Sequence, residues 1–325
     1  MRVSSYVNNS KYWNDRQTVF IGTYQSFRKS GESVSYGASG LGLETSRALA
    51  SAGASLTLAV RNLAQGQAGA DVLRAAYPAA QVSVGLLDLS DLTSVREFAA
   101  DWMASSASLD ILINNAAIMA CPLTQSRKGW EAQFATNHLG HFVLTTALLP
   151  ALHKAAQKTG DARVVCLSSS AHKISGVEFD DIHFERREYN KWKAYGQAKS
   201  ANALMALGLH LRYAGRGITA NAVHPGGIMT GLQKFLPTQE MRALGWLKTD
   251  DTPLDIFKTP QQGAPTSIWA ATAPRLLGNG GLYLEDCQQS VLVEPGNRVS
   301  GYSAHIADAV AAERLWAMSE TMVAR

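Results

Sequence analysis

The sequence predicts an α/β protein built on a single doubly wound parallel sheet with helices on both faces. Three observations predict it. From Gly40 onward, short and continuously apolar runs alternate with helical stretches, the pattern of strands buried on both faces. A glycine cluster, Gly37-Ala-Ser-Gly40-Leu-Gly42, stands at the head of that series. No internal repeat and no low-complexity tract interrupts it.

The elements follow in order. A helical stretch over 41–52 leads to the β-type run Ser55-Leu-Thr-Leu-Ala-Val60, and helical 63–76 leads to the run at 81–87. Helical 92–103 precedes Leu109-Asp-Ile-Leu-Ile113, and a long helix over 130–152 precedes Ala162-Arg-Val-Val-Cys-Leu167. A helix carrying Tyr195 precedes the run at 217–223. Each strand is too short for a helix and too apolar for an exposed sheet face.

Two regions break the rhythm. Residues 28–35, next to the glycines, do not read as a central strand, and the β-like run Thr18-Val-Phe-Ile-Gly22 ends well before them. Either the chain carries an insertion after its first strand, or a shifted reading frame upstream of Gly37 has replaced the start. Residues 1–33 are therefore set apart as an atypical N-terminal segment, with one domain expected over 34–325. The second region, 229–260, holds Phe235-Leu-Pro, Leu244-Gly-Trp-Leu247 and Ile256-Phe257 after the last central strand. It reads equally as an apolar lid over a ligand or as a packed helix pair.

Bulk properties exclude several classes. At 325 residues and 46% hydrophobic content, the chain can bury a large core. A net charge of +4, with no basic run beyond Lys-Arg pairs, argues against nucleic acid or an anionic membrane as partner. Cys121, Cys166 and Cys287 are scattered, fit a reducing compartment and offer no metal site. No apolar stretch reaches the roughly 20 residues of a membrane span, and the N-terminus lacks a signal-peptide core. The expected location is cytoplasmic, with no membrane anchor.

The chemistry gathers at Tyr195 and Lys199. Four residues apart on a helix, they share one face. A free phenol titrates at about 10, and an adjacent ammonium favours the phenolate, which makes the pair a candidate general acid/base for a carbinol oxygen. The glycine loop at a strand-to-helix turn suits a pyrophosphate on the helix N-terminus. Arg61-Asn62 ends the second strand run with no acidic residue; an Arg there can pair with the 2′-phosphate of NADP, so NADP(H) is preferred and NAD(H) admissible.

Ser35-Tyr-Gly-Ala-Ser-Gly-Leu-Gly42, Asn114-Asn-Ala-Ala117, Ser168-Ser-Ser-Ala-His172, Tyr195-Gly-Gln-Ala-Lys199 and Pro225-Gly-Gly-Ile-Met-Thr230 occur in this order. With these motifs the chain resembles the short-chain dehydrogenase/reductase family, nearest its retinol-dehydrogenase-like and WW-domain-oxidoreductase-like branch. The resemblance runs from about Val34 to the C-terminal region and implies a Rossmann fold. It departs from the family at Tyr36, which stands where the first loop glycine is expected.

The resemblance implies site residues as well. Ser169 becomes the catalytic serine, with Ser168 and Ser170 as neighbours, and Asn137 anchors a proton relay to Lys199. Gly37, Gly40, Leu41 and Gly42 hold the pyrophosphate; Asp88 and Leu89 contact adenine; Asn115 and Ala116 leave room for the adenosine half. Pro225, Gly226 and Thr230 shape the nicotinamide pocket. The long helices near 130–152 and 195–213 often form a homo-oligomer face in the family. The expected activity is alcohol–carbonyl interconversion on a small apolar substrate. The other reading, motivated by Tyr36 and the irregular first strand, is a catalytically silent nucleotide-binding or interaction protein. His138, His141, His172, His183 and His224 read as packing or capping residues, since the mechanism needs no imidazole.

Overall fold

The computed structural model describes residues 18–22, 40–106, 108–294, 296 and 300–324, and of 18–22 the backbone alone. Tyr36 and Gly37 lie outside the described residues.

The strands are β1 (Thr18–Gly22), β2 (Ser55–Val60), β3 (Val82–Leu86), β4 (Ile111–Asn114), β5 (Ala162–Leu167), β6 (Ile218–His224), β7 (Tyr283–Glu285) and β8 (Gln288–Gln289). They form one sheet in the order β3-β2-β1-β4-β5-β6-β7-β8. Pairing is parallel from β3 through β7, and β8 returns antiparallel on β7. The helices are α1 (Leu41–Ser51), α2 (Leu63–Ala76), α3 (Leu92–Ser105), α4 (Gly140–Thr159), α5 (Lys191–Tyr213), α6 (Thr238–Ala243), α7 (Pro260–Thr272) and α8 (Ala309–Val323).

Two cores flank the sheet. Ile111, Ile113, Val165, Leu167 and Val223 pack with Leu49 of α1, Leu73 of α2 and Trp269 of α7. Their sequence neighbours Leu112, Val164, Cys166 and Ala222 pack with Phe98 of α3, Leu148 of α4 and Leu209 of α5. Successive side chains point to opposite faces, so a sheet covered on both sides demands unbroken apolar runs. Burying each such leucine or isoleucine stabilises the fold by about 1.5–3 kcal/mol. Two buried polar side chains of the sheet find partners across the core: Thr57 Oγ1 accepts from Trp102 Nε1 at 3.1 Å, and Arg163 Nη1 donates to the Ala273 carbonyl at 2.8 Å.

The sheet corrects one boundary. Thr18–Gly22 fills the central slot, with Val19 opposite both Leu56 and Ile111. The sheet therefore begins upstream of residue 34, and the segment set apart at 1–33 carries a central strand.

Local departures have physical causes. The helix predicted over 130–152 opens with a turn at Ala132–Phe134, whose N–H groups Glu131 caps. It then widens into a π-type turn, Ala135–Leu139, before α4 runs on to Thr159. Segment 229–260 is not a helix pair: it holds the short α6 and two isolated bridges, Ile228 to Lys258 and Leu247 to Pro253.

Glycine permits two close approaches. A Cβ on Gly140 would lie 2.3 Å from the Leu89 carbonyl oxygen, and one on Gly196 would lie 2.6 Å from that of Ala171. The second lets α5 press against the turn that follows β5. Among the described residues, no helix is long and apolar enough to cross a membrane.

Candidate active site

A cleft of about 670 Å3 opens beyond the C-terminal ends of the strands. The order reverses between β1 and β4, and such switch points leave a crevice between diverging crossovers. The head of α1, the ends of β2, β4, β5 and β6, one face of α5 and segment 229–260 all contribute walls.

Helix α5 starts at Asn190, whose Oδ1 accepts from the Trp192 and Lys193 N–H groups at 3.0 Å each. One turn on, Tyr195 and Lys199 face the cleft together, with Lys199 Nζ 5.6 Å from the Tyr195 ring centroid. Both are buried, at 4% and 2% exposure. Nζ donates to the Leu167 carbonyl at 3.0 Å. Burial pulls the Lys199 ammonium down to about 7, against a small opposing pull from Cys166.

Strand β5 delivers the serines. Ser168 is buried and its Oγ donates to the Lys199 carbonyl at 2.8 Å. Ser169 has an extended backbone, and its Oγ accepts from the Ala171 N–H at 3.2 Å, capping the turn Ser170–Lys173. Ser169 stays half-buried on the cleft wall. Asn137 sits in the π-type turn, fully buried, its amide exchanging two 2.8 Å hydrogen bonds with the Ile118 backbone. Its carbonyl faces His141 Nδ1 at 2.9 Å. It is not on the cleft wall; it fixes the chain leaving β4.

The residues assigned to a cofactor divide into two groups. Gly40, Leu41, Gly42, Asn115, Pro225, Gly226 and Thr230 line the cleft. Gly40 takes φ 137 and starts α1 with no side-chain cap among the described residues, so the helix head opens on the cleft as a pyrophosphate requires. Gly226 takes φ 96, and a Cβ there would lie 2.8 Å from the Lys258 side chain. Thr230 caps the turn Gly231–Gln233.

The other residues lie off the wall. Arg61 follows β2 directly, and Asn62 caps α2 by accepting from the Gln65 N–H at 3.0 Å. Asp88 binds its own turn, accepting from the Ser90 N–H at 2.9 Å. Leu89 is buried in the core, and Ala116 packs against the same core.

The wall also holds residues that the sequence reading did not assign to it, and others, Trp246 and Phe257, that it placed in the candidate lid. Met119 lines the cleft just after β4, and Gln65, Gly66 and Gly69 line it from α2. Trp192, Trp246 and Phe257 line it as an aromatic row, Trp246 meeting each of the other two edge-on with ring centroids 5.7 Å apart. The aromatic density of 229–260 was the available signal; the partnership with Trp192 on α5 was not visible. Burial pushes the Cys121 thiol up to about 11 and that of Cys166 to about 12, which disfavours the thiolate at both.

Comparison with known proteins agrees with this geometry. A family model described as short chain dehydrogenase matches residues 34–241. A Streptomyces antibioticus protein named "Probable oxidoreductase" is 46% identical over 287 residues, covering 87% of this chain and 94% of that one. Retinol dehydrogenase 12 of Mus musculus is 39% identical over 280 residues, covering 86% and 82%. The crystal structure of an uncharacterized protein from Mycobacterium paratuberculosis matches with a TM-score of 0.68 at 33% identity, over 95% of this chain and 93% of that one. The chain belongs to the short-chain dehydrogenase/reductase family of oxidoreductases, and retinol-dehydrogenase-like proteins are among its relatives.

Proposed function

We propose that this protein is an NADP(H)-dependent oxidoreductase that interconverts an alcohol and a carbonyl on a small apolar substrate, with Tyr195 as general acid/base. The observation that carries the reading is the buried pair Tyr195 and Lys199, one turn apart on α5 and facing the same cleft as Ser169. A bound nicotinamide supplies hydride in reduction and takes it in oxidation.

The chain's own residues do the rest. Ser169 donates a hydrogen bond to the substrate oxygen and holds it against the Tyr195 phenol. Tyr195 gives its proton to that oxygen in reduction and removes it in oxidation. The Lys199 cation favours the phenolate through space, and its position near neutrality lets it pass a proton on. Asn137 holds the segment beside the relay in place.

Two features support the finer assignments. The strand-end sequence Val60-Arg61-Asn62 offers a guanidinium and no carboxylate, which suits a 2′-phosphate and disfavours the bare ribose of NAD(H). The aromatic row with Met119 and Leu232 makes the substrate end of the cleft apolar, which suits a small apolar aldehyde or ketone.

The test is a binding titration with NADPH and NADH in parallel, followed by a carbonyl screen on wild type and Tyr195→Phe. Tight NADPH binding, weak NADH binding and turnover lost in Tyr195→Phe are expected. Folded protein that binds neither nucleotide, or a Tyr195→Phe variant of undiminished rate, refutes the reading.

A further inference from the structure

His172 is fully buried three residues beyond Ser169, and every hydrogen-bonding atom of its ring is engaged. The Ser303 backbone N–H donates to Nε2 at 3.2 Å. That donor cannot reverse, so Nε2 must be an unprotonated acceptor. The ring proton therefore sits on Nδ1, which lies 2.7 Å from the Ser169 carbonyl oxygen and 3.1 Å from the Tyr283 hydroxyl. Both of those oxygens accept from it.

The direction of the remaining bonds follows. Tyr283 cannot donate to a protonated Nδ1, so its hydroxyl is the acceptor there. Ser168 spends its own proton on the Lys199 carbonyl at 2.8 Å. His305 Nε2 lies 3.1 Å from the His172 carbonyl and holds the other side of the turn. The bonds tie the segment at Ser303, His172 and Tyr283 of β7 to the backbone that carries Ser169, and the Ser200 hydroxyl of α5 donates to the His172 carbonyl at 3.2 Å.

We infer that His172, as a neutral Nδ1–H imidazole, and Tyr283 are positioning residues that lock the Ser169 turn against helix α5. The inference rests on Ser169, Tyr195 and Lys199 acting as proposed above. Neutrality is built into the surroundings. A proton on Nε2 would oppose the Ser303 N–H, while Lys173, His305 and His224 stand near the ring and add no carboxylate to stabilise a charge; burial and these neighbours bring the imidazole down to about 4. The role was invisible in sequence because its partners come from residues 283 and 303, far along the chain.

Two experiments test it. In cofactor-free protein, long-range proton–nitrogen NMR, with the signal assigned by its loss in His172→Asn, should show an Nδ1-protonated neutral ring at pH 7. An Nε2-protonated or charged ring overturns the inference without any reference to turnover. In NADPH-dependent reduction of 4-nitrobenzaldehyde, His172→Leu should lose tenfold or more in kcat with less than a twofold change in NADPH affinity. His172→Asn, whose amide N–H can still reach the Ser169 carbonyl, should recover most of that loss, and Tyr283→Phe should lose several-fold. Wild-type kcat in folded His172→Leu and Tyr283→Phe overturns the inference, as does a loss that Asn fails to restore. Tyr195→Phe is run alongside: activity surviving there sinks the proposed reaction, whereas activity lost there but kept in the His172 and Tyr283 variants sinks only the positioning role.

Discussion

Lys199 and Asn202 share a single acceptor: Lys199 Nζ and Asn202 Nδ2 both donate to the Leu167 carbonyl, at 3.0 and 2.9 Å. Leu167 ends β5 one residue before the serines. Helix α5 is thereby bolted to the strand that presents Ser169, at the point where the lysine's position matters for Tyr195.

Asn202→Ala should leave the fold intact but loosen this bolt. Loss of one buried hydrogen bond to a carbonyl that keeps another donor costs about 0.5–1.5 kcal/mol. Denaturant unfolding should show that loss, and kcat should fall more than NADPH affinity as Lys199 gains freedom. Equal stability to wild type would show the shared bond to be idle.

Gly196→Ala should be more damaging than its size suggests. The new Cβ would lie 2.6 Å from the Ala171 carbonyl, a backbone atom that can yield only if the Ser169–Lys173 turn moves. Overpacking of this kind costs about 1–3 kcal/mol. Thermal unfolding and kcat should both fall, whereas an unchanged kcat would mean the turn shifts freely.

Acid should destabilise the protein through its buried imidazoles. Burial holds His138 down to about 3, and His141, His172 and His224 to about 4. In the unfolded chain these groups titrate at about 6.5. Below that pH the unfolded state binds protons that the folded state refuses until about 4. Their contribution is thus present above about 6.5 and lost progressively as pH falls to about 4, and to about 3 for His138. Unfolding temperatures at pH 7, 5.5 and 4.5 should fall steeply, and His138→Phe should flatten the slope. A flat profile in wild type would contradict neutral burial.

Arg61→Asp should reverse cofactor preference. A carboxylate at the end of β2 repels a 2′-phosphate and accepts from ribose hydroxyls. NADPH affinity should drop tenfold or more while NADH affinity holds or improves. No change in either would remove Arg61 from the cofactor site.

Legibility tracked the range of the interaction. The alternating elements, the strand-end glycines and the Tyr195–Lys199 pair are local, because strand periodicity and helical spacing operate within a few residues. That is why the doubly wound sheet and the shared face of Tyr195 and Lys199 on α5 could be read directly. Thr18–Gly22 was visible as a β-like run, but its central slot depends on pairing with Leu56 and Ile111, which no local pattern encodes. The exclusion of Leu89 and Ala116 from the cleft wall, and the inclusion of Met119 and Trp192, are likewise matters of which neighbours arrive.

By itself, then, the sequence determined the fold class and the family, which rest on local patterns and motifs in a fixed order, and the shared face of Tyr195 and Lys199, which rests on spacing along one helix. Tertiary structure alone decided that Ser168 is buried while Ser169 stays half-buried on the cleft wall. It also decided that Asn137 spends its amide on Ile118, and that His172 is held by Tyr283 and Ser303. The physical reason is that a hydrogen-bond partner on another element, up to 131 residues away for His172 and Ser303, is in reach only once the two cores have closed around the sheet.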